Sequence, residues 1–370
     1  MSIPALLRLV DAAECEPSSP HAPGAEITGR HYKTGEGVRV AWREGRILSV
    51  ELAEVPADAP WIAPALVELQ VNGYGGIDFQ QEPNPATGAD ALLQAARALR
   101  RDGCARTLLT LITRRWPDLL DALTRWKAIR DGNPELRRAF FGWHVEGPFI
   151  SSEPGYVGAH PADAVCDPTP EAMEQLRAAA GDDPVLLTVG PERNGSEAAI
   201  RRARELGIVI SLGHTNASRA EVDAAVRAGA TGFTHLGNGC VQQLDRHDNI
   251  LWRVLDGSGL TVGLIPDSIH VSPSLFRLIH KILPPEQIYW TTDAMAAGGA
   301  PAGRYRIGRL EIEVGEDRIV RQPGKSNFAG SALEPLRGVG VGAKMLGKSW
   351  REVWDHFSVI PARLMGRNAA

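Results

Sequence analysis

Several things are scarce in this sequence. Four cysteines, Cys15, Cys104, Cys166 and Cys240, lie far apart and form no CxxC pair, which argues against a disulfide framework or a structural zinc knot and points to a reducing cytoplasm. Long apolar runs are missing as well. The opening Ala5-Leu6-Leu7-Arg8-Leu9-Val10 follows no basic region and is too short for a secretory core. No stretch approaches the roughly 18 apolar residues of a membrane span. There is no surplus of positive charge: 40 Lys and Arg stand against 44 Asp and Glu, for a net charge of -4, and the basic residues are scattered. A nucleic-acid partner is therefore not expected, nor a membrane. The glycines after residue 72 (Gly73, Gly75, Gly76) match no phosphate-cradling fingerprint and read as a tight turn. The nine tryptophans are dispersed and read as packing residues. A small-molecule ligand is the remaining expectation.

What is present has a simple order. Residues 11–26 are rich in Pro, Ser, Ala and Glu and read as loop. Residues 38–42 and 46–52 alternate apolar and polar around Glu44-Gly45, the pattern of a hairpin with one face exposed. Residues 1–60 are thus expected to form a small β-domain behind a poorly ordered N-terminal loop. From residue 61 onward, strand-like runs alternate with amphipathic segments. The strands are expected at 65–71, 105–112, 140–145, 185–189, 208–212, 232–235, 260–265 and 288–292. Helices are expected at 91–101, 116–130, 170–180, 196–206 and 218–228. Eight strands alternating with helices predict an α/β fold, a (β/α)8 TIM-type barrel over 61–370. A β-hairpin is expected as an insertion near 303–322, and helices again from about Leu333.

Barrels of this kind build their sites at the C-terminal ends of the strands. Six of the eight predicted strands end there on polar residues. Strand 1 ends in Gln70 and Asn72, strand 3 in Glu146, strand 5 in His214 and strand 6 in His235. Strand 7 ends in Asp267 and His270, and strand 8 in Asp293. One carboxylate and two imidazoles form a metal-ligand set that leaves a coordination position open for chemistry, and Glu146, His214 and His235 suit one divalent ion, Zn2+ or Fe2+. The competing reading is a buried ion pair with ordinary core histidines. Asp293 is placed to take a proton from the attacking water and return it to a leaving amine, rather than merely to cap a turn. His160, Asn238, Gly239, Arg246 and His270 sit on loops that would surround a substrate. Arg246 can grip an anion, with His247 and Arg253 as helpers or as solvated charges.

At these residues the chain resembles the amidohydrolase superfamily and, within it, the N-acetylglucosamine-6-phosphate deacetylases. The motifs are Gln70-Val71-Asn72-Gly73, His144-Val145-Glu146-Gly147-Pro148, Gly213-His214-Thr215-Asn216-Ala217, Thr234-His235-Leu236 with Asn238, Asp267 with His270-Val271, Thr292-Asp293-Ala294 and Ala329-Gly330-Ser331-Ala332-Leu333. The resemblance implies a zinc-type amidohydrolase of amino-sugar catabolism, with one metal on Glu146, His214 and His235 and with Asp293 as general base and acid. It implies that His270 polarises the amide carbonyl, and that Ala159, His160, Asn238, Gly239, Arg246, Asp267, His270, Phe328, Ala329 and Gly330 line the sugar-phosphate pocket. It further implies a homodimer in which Arg246 reaches across the interface. Two-metal members of the superfamily carry His-x-His on strand 1 and a carbamylated Lys on strand 4, where this chain has Gln70-Val71-Asn72 and Thr188. The open alternatives are a mononuclear amidohydrolase for another N-acyl substrate (an unphosphorylated or galacto-configured amino sugar, or an N-acyl amino acid) and a pseudoenzyme. Relatives continue past the Pro361-Ala362-Arg363 helix into strands that complete a small β-sandwich. An incomplete sandwich is expected here, exposing strand edges near residues 38–52.

Overall fold

The computed structural model describes residues 24–43, 46–323 and 328–366. Its first four strands, β1 (Ala25–His31), β2 (Gly37–Arg43), β3 (Arg46–Leu52) and β4 (Trp61–Ile62), form one sheet in the order β3-β2-β1-β4. The hairpin expected at 38–52 is the antiparallel β2/β3 pair, with Val40 opposite Val50 and Val38 opposite Leu52. Its turn residues, Glu44 and Gly45, lie outside the described residues, as does most of the loop expected at 11–26. Ala25 and Glu26 belong to β1 instead, because they pair with Trp42 and Ala41. Among the described residues the small sandwich is this single sheet. Its outer strand β3 leaves Ile47, Leu48, Val50 and Leu52 exposed among the described residues. The opposite end is anchored: Tyr32 donates to Asp355 at 2.5 Å, and Trp61 packs edge-on against Trp350.

The barrel follows. β5 (Leu66–Val71) leads into a two-residue hairpin, β6 (Gly73–Tyr74) and β7 (Ile77–Asp78). Then come α1 (Gly88–Arg101), β8 (Cys104–Ile112), α2 (Trp116–Asp131), α3 (Pro134–Ala139), β9 (Phe140–Glu146), α4 (Pro170–Ala180), β10 (Val185–Val189), α5 (Ser196–Glu205), β11 (Val209–Leu212), α6 (Arg219–Ala228), β12 (Gly232–Phe233), α7 (Ile250–Leu255), β13 (Thr261–Leu264), α8 (Pro273–Ile282) and β14 (Ile288–Trp290). The eight long-range strands form one parallel sheet in the order β5-β8-β9-β10-β11-β12-β13-β14. A single parallel bridge, Val71 to Ala294, brings the two ends of that order together.

Local sequence explains the alternation. Strands such as Val185-Leu-Leu-Thr-Val189 are buried on both faces, the condition of a parallel strand covered by helices. The helices start on recognisable caps. Thr169 accepts from Ala172 N ahead of Pro170, and Ser218 forms a capping box with Glu221, each satisfying an otherwise unpaired N–H. The core lies between sheet and helices, with Trp143, Phe140, Phe79, Phe276 and Trp290 fully buried. After β14, the inserted hairpin is a three-stranded sheet of β15 (Gly303–Ile307), β16 (Leu310–Val314) and β17 (Val320–Arg321). It packs Ile307, Ile312, Val314 and Val320 on Met295, Ala296 and Ala329 beside the strand ends. α9 (Pro335–Leu346), α10 (Trp350–Val353) and α11 (Val359–Leu364) complete the shell.

Candidate active site

Two predicted strands end two residues early, and in both cases a predicted site residue follows the break. β12 stops at Phe233 and β14 at Trp290, because His235 (φ 31°) and Asp293 (φ 50°) turn into the left-handed region, as does His214 (φ 50°) after β11. Non-glycine residues seldom occupy that region without a functional reason. The turns swing these side chains out of the ladder and into the barrel mouth.

There Glu146, His214 and His235 converge, with one ligand atom from each lying within 4.8 Å of the others. Glu146 Oε1 is 2.9 Å from His235 Nε2 and 3.3 Å from His214 Nε2. It also accepts from Gln70 Nε2 at 2.8 Å. All three residues are buried. Burial alone would raise the Glu146 pKa, but the bonds from His214 and His235 and the nearby imidazole charge hold it well below the ordinary carboxylate range. Burial opposes charge on His235, yet the hydrogen bond and charge of Glu146 leave its pKa above the usual value. Such an electrostatic trap suits a cation. The donor set fits a divalent ion, and His214 carries the outer contact that metal-bound histidines use: its Nδ1 is 2.7 Å from Tyr156 O, which leaves Nε2 to face Glu146.

Asp293 stands beside this group. Its Oδ1 accepts from Asn72 Nδ2 at 2.7 Å. Burial and the charge of Glu146 push its pKa up to about 6, a value poised for proton transfer near neutrality. His270 Nδ1 is 2.6 Å from Asp267 Oδ2, so the ring is fixed, and its buried Nε2 has no partner among the described residues. Burial raises Asp267, but His270 and the Ile269 and His270 N–H groups bring it below the ordinary range. His160 brings Nε2 to 3.8 Å from Glu146 Oε2 and packs edge-on to His214. Burial and the His214 charge depress its pKa to about 3.

The remaining predicted site residues fall into two sets. Asn238 turns back to His235 O, and Gly239 lies against the His214 ring. Ala329 and Gly330 run beside Asp293, Ala159 packs on the Met295 cluster, and the exposed Phe328 ring stacks obliquely 5.2 Å from His270. Arg246 is not brought into this group. Its side chain is exposed, and among the described residues only its carbonyl oxygen is engaged, by Trp252 Nε1. Arg253 is committed elsewhere, bonding Asp248, Asn216 O and Ala217 O behind His214.

Sequence reasoning missed an inner polar layer. His144 Nε2 meets Thr188 Oγ1 at 2.9 Å, Thr188 meets Thr234 at 2.8 Å, and Thr234 meets Ser211 at 2.7 Å. Deeper in β5, fully buried Glu68 accepts from Gln70 N and Thr292 N. The signal for Glu68 was its even spacing from Gln70 and Asn72, which puts all three on the inward face of one strand.

A parallel eight-stranded barrel with Glu, two His and Asp at its strand ends defines a hydrolase of the amidohydrolase class. No protein-family model matches the chain. The chain is 32% identical over 289 residues to the N-acetylglucosamine-6-phosphate deacetylase of Danio rerio, covering 74% of this chain and 70% of that one. It is 28% identical to the N-acetylgalactosamine-6-phosphate deacetylase of Escherichia coli O157:H7, covering 92% and 89%. A Mycobacterium smegmatis N-acetyl-D-glucosamine-6-phosphate deacetylase variant, solved with N-acetyl-D-glucosamine-6-phosphate, superposes with a TM-score of 0.81 at 27% identity, covering 94% and 91%. The chain belongs to the N-acetylglucosamine-6-phosphate deacetylase family.

Proposed function

We propose that this protein hydrolyses N-acetylglucosamine-6-phosphate to glucosamine-6-phosphate and acetate, with one divalent ion, Zn2+ or Fe2+, held by Glu146, His214 and His235. The observation that carries this reading is the convergence of the Glu146 oxygen on both imidazole Nε2 atoms, with Asp293 held alongside by Asn72. When bound, such an ion polarises a carbonyl oxygen and makes water a better nucleophile near neutral pH. The chain supplies the rest. Asp293 accepts a proton from the attacking water as its oxygen bonds to the amide carbon, then delivers that proton to the amide nitrogen as the C–N bond breaks. His270, whose Nδ1–H is given to Asp267 and whose buried Nε2 has no partner among the described residues, donates from Nε2 to the developing oxyanion as the doubly protonated ring. Gln70 keeps Glu146 oriented. Phe328, Ala329 and Gly330, together with His160, Ala159, Asn238 and Gly239, surround the N-acetyl sugar. Arg246 serves the phosphate, and its exposure accords with a partner subunit's pocket in a homodimer. A cytoplasmic setting belongs to the same reading, for which the free cysteines Cys104, Cys166 and Cys240 speak.

A second reading takes the galacto-configured substrate, supported by the E. coli relative's name and its coverage of both chains. The test is acetate release from the 6-phosphates of N-acetylglucosamine and N-acetylgalactosamine and from N-acetylglucosamine, using stripped protein reconstituted with Zn2+ or Fe2+. Release from the gluco phosphate is expected, and Asp293→Asn should keep the metal while losing about 10²–10⁴ in turnover. Arg246→Ala should raise KM for phosphorylated sugars alone. Full activity in Asp293→Asn would refute the assigned role.

A further inference from the structure

The parallel sheet is stitched by backbone ladders between every pair of sequential neighbours, from β5-β8 around to β13-β14. Where β14 meets β5, the backbone supplies the Val71–Ala294 bridge, with Asn72 N donating to Ala294 O at 2.6 Å. Side chains add to the joining, Glu68 with the most bonds among them. Glu68 Oε2 accepts from Thr292 N at 2.8 Å, and its Oε1 accepts from Thr291 Oγ1 and from Gln70 N at 2.9 Å. The carboxylate therefore stands in for ladder bonds at the seam, and Thr292 is the residue immediately before Asp293.

Asp293 needs such a hold. Its backbone is left-handed at φ 50°, a conformation that a non-glycine residue keeps only when its surroundings enforce it. Ser331 grips the turn from behind, donating Oγ to Thr292 O at 2.5 Å and N to Asp293 O at 2.9 Å. Asn72, four residues along the strand from Glu68, holds the carboxylate itself. Glu68 closes the remaining side. Three donors converge on its two oxygens, which an amide cannot match: a Gln there would turn an NH2 group toward the N–H of either Thr292 or Gln70.

We infer that Glu68 is a positioning residue for Asp293, acting across the barrel seam through Thr291 and Thr292. This rests on the reading of Asp293 as the proton-transferring group. A displacement of that carboxylate by a fraction of an ångström slows the chemical step while leaving substrate and metal binding in place.

The test uses the full chain loaded with metal and N-acetylglucosamine-6-phosphate as substrate, with kcat normalised to bound metal. Glu68→Gln is expected to lower kcat by about 10–100-fold, with KM within about twofold and one metal ion per chain retained. Glu68→Asp, which restores both acceptor oxygens, should recover most of the loss. Thr291→Val, which removes one donor, should lower kcat alone by a few fold. Unchanged kcat in Glu68→Gln would overturn the inference. So would a joint loss of metal, KM and kcat that Glu68→Asp does not repair, since that marks a purely structural role. If Glu68→Gln does not fold, Thr291→Val decides, and unchanged kcat there overturns the inference. Activity persisting in Asp293→Asn would instead overturn the reading of Asp293, whatever Glu68→Gln does.

Discussion

Stripping the metal and replacing Asp293 by Asn should change how stability depends on pH, in a direction fixed by the site. Asp293 has its pKa raised from an ordinary 3.8 to about 6 in the folded, metal-free chain, so the folded state holds this proton more tightly than the unfolded state does. A group raised in this way contributes stability that is complete below about pH 4 and is lost as pH rises through 6. The gap is roughly two pH units, each worth about 1.4 kcal/mol, so at most about 3 kcal/mol disappears between pH 4 and 7.5. Other groups titrate too. Glu68 is raised by burial to about 7 and loses its contribution over about pH 4.5 to 7. His235, raised above 6.5, loses its contribution as pH climbs past that point. Glu146 has the opposite sign: depressed well below 4.5, it matters only as pH falls through that low value. Glu68 is common to wild type and Asp293→Asn, whereas His235 and Glu146 interact with Asp293 directly, so the difference between the two curves reports Asp293 together with its coupling to these two neighbours. The assay is urea unfolding of chelator-treated protein at half-unit steps of pH, extrapolated linearly to water. Wild type should fall more steeply than Asp293→Asn by about 3 kcal/mol across the range. Parallel curves would refute the account of Asp293 as a carboxyl held protonated by its neighbours.

Glu146→Gln should abolish the thermal response to added Zn2+ or Fe2+, which in wild type should reach about 4 kcal/mol at a thousandfold excess over Kd; an undiminished response would place the ion elsewhere. Gly239→Ala should weaken metal affinity by about 10-fold or more, read by chelator competition. Gly239 is left-handed at φ 59°, and a Cβ there would come within 2.9 Å of His214 Nδ1, the atom that bonds Tyr156 O. Arg130→Met should cost about 3–5 kcal/mol in urea unfolding without changing kcat per folded molecule. Arg130 is only 3% exposed and pairs with Asp183 at 2.6 Å and Asp131 at 2.5 Å while lying over the Trp143 ring; a loss below 1 kcal/mol would show the network to be dispensable.

Much of the fold was legible because its periodicities are strong. The strand at 185–189 and the helix at 170–180 have the predicted bounds, one a continuous apolar run and the other opened by Thr169-Pro170. The strands ending at His235 and Asp293 were predicted too long, since apolar pattern carries no record of a left-handed φ. The mouth residues Glu146, His214, His235 and Asp293 could be picked out because a barrel brings strand ends together whatever its details. For Glu68 the spacing from Gln70 and Asn72 marks only an inward face; its role could not be read, because its partners Thr291 and Thr292 become neighbours only once β14 returns to β5, and that closure is a tertiary event. Arg246 shows the converse: its charge is plain in the sequence, but its neighbourhood is set by a loop of residues 237–249 whose path no periodicity encodes.

The hydroxyl chain from His144 through Thr188 and Thr234 to Ser211 bears on the history open to this barrel. Position 188, where the superfamily resemblance would put a carbamylated lysine in a two-metal member, is occupied by a threonine whose oxygen serves both His144 and Thr234. A lysine introduced alone would take one hydrogen-bond partner from each of them in a buried layer, leaving Thr234 with Ser211 and His144 with Thr110, and would press on Gly213, where a built Cβ already lies 3.0 Å from the Thr188 methyl group. Gln70 and Asn72 would have to become histidines in the same lineage, though each is engaged with Glu146 or Asp293. Substitutions among such contacting residues are expected to be non-additive. The side chains at 70, 72 and 188 are thus tied into contacts around Glu146, Asp293 and His144, so that building a second ion site in this barrel calls for concerted change at all three positions.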